Sequence, residues 1–114
     1  MSSPAAPETV SIREFKRLDI RIGTITKAEC VEGSDKLYKI QADMGDHTRQ
    51  IVSSLVGYYK PEELEGKVIA VLCNLKPATI FGQQSNGMLL TAEQGGDLAL
   101  LTIDRLVSNG SKVA

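Results

Sequence analysis

The chain contains no tryptophan, two phenylalanines and three tyrosines, so aromatic residues make up only 4% of it. Stacking on aromatic rings therefore cannot dominate its affinity for a nucleic acid. Histidine is almost missing too: His47 is the single one, on a turn, where it is expected to be exposed and idle. One imidazole with no cysteine close in sequence does not make a metal site. No Ser/His/Asp or Cys/His set stands at usable spacing, and no paired carboxylates flank a glycine-rich loop. That removes the common means of catalysis and gives no reason to expect a cofactor. Cys30 and Cys73 are the two cysteines. Each lies in an apolar, strand-like context and reads as a small buried hydrophobe of a reducing cytoplasm, not as half of a disulfide. No apolar run reaches about 18 residues, so no membrane-spanning helix is expected. The N-terminus has no basic segment followed by an apolar one, which is what an export signal needs. Excess charge of one sign is also lacking. Thirteen Lys and Arg against fourteen Asp and Glu leave a net charge of −1, which argues against indiscriminate nucleic-acid binding through overall charge.

What is present fits one domain. With 114 residues, 42% of them hydrophobic, the chain can bury a modest core. Residues 1–10, opening "MSSPAAPET", read as a flexible leader or linker remnant, and residues 11–114 as the folded domain. Ser11 with Glu14 has the spacing of a capping box and predicts a short helix near Ile12–Lys16. In "LDIRIGTITKAECV" Leu18, Ile20 and Ile22 alternate with Asp19 and Arg21. At Gly23 the phase slips and Ile25 takes up the apolar role, which predicts a bulge or sharp coil there. "KLYKIQADMG" puts Tyr38, Ile40, Ala42 and Met44 on one side. A hairpin turn at "GDH" leads to a third strand, "TRQIVSSLV". Tyr58 and Tyr59 read as packing residues. Pro61, the acids after it and Gly66 bracket a helix of one or two turns. "KVIAVLCNL" is a strand buried on both faces. A long loop, a strand "GMLLTA", a hairpin arm "GGDLALLTI" and a tail "DRLVSNGSKVA" complete the chain. Three strands, a short helix, a strand, a loop and a strand predict an all-β fold. It is an OB-fold five-stranded barrel with a short helix between strands three and four and a C-terminal β extension.

The loop carries the chemistry. From Gly66 to Ala92 the sequence has two lysines, Lys67 and Lys76, and no acid. A polyanion brought against it meets attraction without opposing carboxylates. Pro77 fixes the backbone after Lys76, and Asn74, Gln83, Gln84, Ser85 and Asn86 offer donors and acceptors for base edges or ribose hydroxyls. In an OB barrel this loop flanks the usual nucleic-acid face.

"RQIVSSL", "NLKPATIFGQQSNGMLLTA" and "ALLTIDRLVSNGSKV", in that order and spacing, resemble the tRNA-binding domain. This module ends many methionyl-tRNA synthetases and also occurs as stand-alone tRNA-binding proteins. The resemblance runs from about Ile12 to Val113. It implies a non-catalytic module of protein biosynthesis that grips the outer corner of tRNA by shape and backbone. It places RNA-facing positions on Arg49 and Ser53 in the third strand, Asn74 and Lys76 before the loop, and Ser85 and Met88 after it. Lys36, opening the second strand, is a weaker candidate. It also implies a homodimer built by the C-terminal extension and the N-terminal segment, and an aminoacyl-tRNA synthetase as a further possible partner. Ser54 stands where relatives usually have Gly, and Ile103 with Arg105 replaces a common Pro and a following acid.

Each position has a plainer reading. Arg49 can pair with Asp43 or Asp46 across the turn, Lys76 can be a solvated lysine, and Asn74 and Ser85 can hold the loop through backbone hydrogen bonds. Met88 can pack in the core or at the barrel rim, and Phe81, which could stack on a base, reads as packing over the barrel mouth. The alternative function is a homodimeric chaperone-like or protein-assembly module of the same fold, which needs an exposed apolar groove.

Overall fold

A computed structural model describes residues 7–114; the first six residues of the expected leader lie outside it. Its elements in chain order are α1 (Ile12–Phe15), β1 (Ile20–Cys30), β2 (Tyr38–Asp43), β3 (Thr48–Ser53), α2 (Pro61–Leu64), β4 (Val68–Leu72), β5 (Ala78–Ile80), β6 (Gln83–Ser85), β7 (Met88–Leu89), β8 (Thr91–Gln94) and β9 (Asp97–Leu100). The expected barrel is present as a five-stranded antiparallel sheet of order β3-β2-β1-β4-β7. It is nearly closed: β3 reaches the β6–β7 segment through an Asn86 N–H donated to the Gln50 carbonyl at 2.8 Å and a Val52 N–H donated to Ser85 Oγ at 3.0 Å.

Alternation accounts for the interior. Tyr38, Ile40, Ala42 and Met44 all point inward, as their spacing predicts, and meet Ile25, Ile51, Leu55, Ile69, Val71 and Leu89. α2 closes one end by burying Leu64 completely; Pro61 opens it and the Glu63 carboxylate accepts the Lys60 N–H at 2.8 Å. The Ser11–Glu14 capping box forms as expected and holds α1.

The phase slip in β1 has a different cause from the bulge expected at Gly23. The bulge lies between Ile25 and Lys27. Ile20 and Ile22 instead face a second apolar cluster outside the barrel, with Ala70, Phe15, Leu72, Leu90, Ile103 and Val113. The strand changes which of its faces is covered, and the pattern slips where the two coverings meet. Gly23 is needed for close approach: a Cβ there would lie 2.6 Å from Met44 Sδ and 3.0 Å from the Asp43 carbonyl oxygen.

Three further readings change. The long loop contains an antiparallel hairpin, β5–β6, turning at Phe81 and Gly82, both with positive φ. "GMLLTA" breaks at Leu90 into β7 and β8, and β8 pairs with β9 as a separate hairpin. Cys73 is buried, but Cys30 ends β1 and is exposed, since the alternation that buries Ala28 runs out there. Tyr59 packs on the core, whereas Tyr58 is exposed. The tail lies along the first half of β1, an edge left open because β2 pairs only from Thr24 onward. Gly110 N–H bonds to the Ile22 carbonyl at 2.7 Å and Val113 N–H to the Ile20 carbonyl at 2.8 Å. No helix among the described residues is long and apolar enough to cross a membrane.

Candidate nucleic-acid interface

The β5–β6 hairpin positions the site. β6 runs antiparallel beside β3, held by the Asn86, Ser85 and Gln84 contacts; Gln50 Nε2 donates to the Gln84 carbonyl at 2.9 Å. The acid-free segment is thereby laid across the outer edge of β3. Its base carries Lys76 and its tip carries Phe81.

Arg49 lies at the base. Its Nε donates to His47 Nε2 at 3.1 Å and one terminal nitrogen donates to the Asn86 carbonyl at 3.0 Å. It pairs with neither Asp43 nor Asp46, because Asp46 is taken by His47 Nδ1 at 2.6 Å. That hydrogen bond, and then the Asp46 backbone N–H, hold the Asp46 carboxyl below its ordinary range. His47, expected to be idle, thus orients Arg49: an acceptor at Nε2 requires the proton on Nδ1, where Asp46 receives it. Arg49 and His47 line a cleft of about 450 Å³ with Asp19, Arg21, Asp46 and Asn109. The Cys73 thiol is pushed up by burial, opposed chiefly by the positive charge of Arg49 nearby.

Asn74 is used structurally. Its Oδ1 accepts the Asp19 N–H at 2.9 Å and its Nδ2 donates to the Arg17 carbonyl at 2.6 Å, pinning the start of β1 to the end of β4. Lys76 follows, exposed, between this pin and Ala78, which pairs with Ser85. Lys76 and Arg49 therefore share one end of the barrel. Ser85 is buried; its hydroxyl accepts from Val52 N–H and donates to the Gly87 carbonyl at 3.4 Å, so it shapes the segment from within. Met88 is 45% exposed beside Leu72 and is available on the outer surface, not packed in the core.

Ser53 and Lys36 lie elsewhere. Ser53 pairs with Tyr38 and Arg49 with Ala42, so they mark opposite ends of the β2–β3 ladder, about 14 Å apart at strand rise. Lys36 is exposed at the Ser53 end, in a shallow cleft with Ser54, Tyr58 and Glu93. The tip of the hairpin also reaches that end, where Phe81 overhangs Gly33. The candidate residues thus form a strip along β3 and not one cluster.

Pairing separates the cations. Arg21 is bound to Asp19 at 2.8 Å, and Lys39 to Glu29 at 3.2 Å. The bond from Lys39, then the charge of Lys27, keeps the Glu29 carboxyl below its usual range. Among the described residues no carboxylate pairs with Arg49, Lys76 or Lys36. The role of His47 left no signal in the sequence, since it depends on the bond to Arg49.

Comparison with known proteins agrees with this geometry. Residues 20–112 match the model of the family described as "Putative tRNA binding domain". A "Methionine--tRNA ligase" of Archaeoglobus fulgidus is 52% identical over 106 residues, covering 93% of this chain and 16% of that protein. The chain thus spans about a sixth of the length of the curated relatives it matches. A MetRS related protein from Pyrococcus horikoshii has the same fold, with a TM-score of 0.89 and 35% identity over 95% of this chain and all of the other. The chaperone CsaA of Bacillus anthracis superposes with a TM-score of 0.84 at 28% identity, covering 94% of this chain and 100% of its own. With its barrel, its hairpin across β3 and nearly its whole length matched, the chain belongs to the tRNA-binding domain family.

Proposed function

We propose that this chain holds folded tRNA without catalysing a reaction, by neutralising phosphates and fitting its shape. The observation that carries this reading is the placement of Lys76 and Arg49, both free of carboxylate partners, on one end of a strip edged by the acid-free hairpin. Arg49 spends two of its N–H groups on His47 and Asn86 and keeps the others for phosphate oxygens. Met88, Lys36 and Ser53 extend the contact along β3, while Asn74 and Ser85 act by fixing the backbone that carries Lys76. The module serves in the cytoplasm, on its own or joined to a methionyl-tRNA synthetase, and works as a homodimer.

Binding of several unrelated tRNAs, measured at a series of salt concentrations, tests this. Arg49→Glu and Lys76→Glu are expected to weaken all tRNAs alike. Each lost phosphate contact flattens the log K against log salt slope by about 0.7–0.9. Loss confined to one tRNA contradicts backbone recognition. A second reading, a protein-binding chaperone-like module, draws on the likeness to CsaA and on a cleft of about 400 Å³ lined by Ile12, Phe15, Leu18 and Val113 with Lys16 and Lys112. Binding of unfolded polypeptide that survives Lys76→Glu, with no tRNA binding by the parent chain, would favour it.

A further inference from the structure

Phe81 is the one non-glycine residue among those described with positive φ, at 49°, and it is 61% exposed. It forms with Gly82 a two-residue turn in which both central residues are left-handed. Such turns favour Asn-Gly or Gly-Gly, because a bulky side chain is crowded in this conformation. Burial does not offset that strain. The ring touches little: a Cβ added to Gly33 would lie 3.7 Å from Phe81 Cδ1, and most of the ring stays open to solvent. A strained aromatic that folding neither requires nor buries points to binding.

We propose that Phe81 is a stacking platform for an unpaired base of the bound tRNA. This rests on the tRNA reading above and adds a base contact to its phosphate contacts. The surroundings suit a base better than an apolar protein surface. Thr79, Gln83 and Gln84 on the same hairpin are polar and only Ile80 beside it is apolar and half-buried, so Phe81 is a single exposed ring chiefly among hydrogen-bonding groups. Ring faces stack on any unstacked base, and amides beside it can reach the base edge. No acid lies in the hairpin itself, and its base carries Lys76 to hold the adjoining phosphates. The left-handed backbone is what turns the ring outward at the hairpin tip.

The absence of tryptophan provides the test. Phe81→Trp becomes the sole indole and is expected to bind tRNA as the parent does, with its fluorescence quenched at saturation. Phe81→Ala is expected to bind about tenfold more weakly, with an unchanged salt slope, since no phosphate contact is lost. Phe81→Asn removes the ring but suits the left-handed position. It is expected to lose the same affinity while raising Tm by about 4 °C, which excludes unfolding as the cause. Full affinity in Phe81→Ala, or unquenched Phe81→Trp at saturating tRNA, overturns the stack. If Arg49→Glu and Lys76→Glu are weakened in that same experiment, the docking face survives without it. If those two bind like the parent as well, both proposals fall, because neither then has a contact on which tRNA binding depends.

Discussion

Tyr38 shows how one side chain ties the barrel to its lid. It is 4% exposed, yet its hydroxyl donates to the Tyr59 carbonyl at 2.8 Å, across to the segment that leads into α2. Tyr59 in turn accepts the Leu100 N–H at 3.1 Å and has Lys67 Nζ 5.5 Å from its ring centroid. Burial first, and then nearby negative groups, raises the Tyr38 hydroxyl above its ordinary range. The unfolded chain therefore gives up this proton at a lower pH than the folded one. The stabilisation is complete below about pH 10, the unfolded value, and is lost as pH rises toward the folded one. Tyr38→Phe is expected to cost about 1 kcal/mol at pH 7 through the lost hydrogen bond. It is also expected to reduce the fall in stability between neutral and strongly alkaline solution, measured by urea unfolding across that range. An alkaline fall as steep as the parent's would show that Tyr38 is not its source.

The β5–β6 hairpin is the element that makes the proposed site, and it is where the sequence is hardest to read. β1, β2 and β4 announce themselves by apolar alternation or an unbroken apolar run, because each buries a face in the core. β5 and β6 are three residues each and carry no such alternation, since they pack on the edge of β3 and not in the interior. Their pairing depends on contacts distant in sequence, such as Gln50 to Gln84 and Val52 to Ser85. The sequence marks this stretch only as a long loop, with nothing to show a turn at Phe81-Gly82. Lys76 and the missing acids were visible in composition, whereas the partners of Arg49 and the pinning role of Asn74 follow from residues 37 to 57 positions away. Ser85 tests the element as a whole. Ser85→Ala leaves the Val52 N–H buried without an acceptor on the open edge of β3, and should cost about 2 kcal/mol in urea unfolding. A cost below about 0.5 kcal/mol would mean that the barrel is closed by other contacts.

At the scale of the whole molecule, apolar surface is exposed among the described residues where α1 meets the tail. The Cα radius of gyration is 15.1 Å, against about 13 Å for a compact domain of this length. Ile12 is 68% exposed and Leu106 85%, and the cleft between α1 and the tail is lined by Ile12, Phe15, Leu18 and Val113 together with Lys16 and Lys112. The tail that builds this surface is itself well anchored along β1, so the surface is a fixed part of the fold. A two-fold partner presenting the same cleft would cover it and place two β3 strips on one particle, raising affinity for a large ligand without new kinds of contact. Sedimentation at micromolar concentration is expected to give twice the mass of the chain. Ile12→Glu, which removes an exposed apolar side chain from the cleft while leaving the barrel core untouched, should halve that mass. It should also weaken tRNA binding about tenfold at low protein concentration, with circular dichroism unchanged. A parent chain that sediments as a monomer would leave the exposed cleft without this partner and reduce the particle to a single β3 strip.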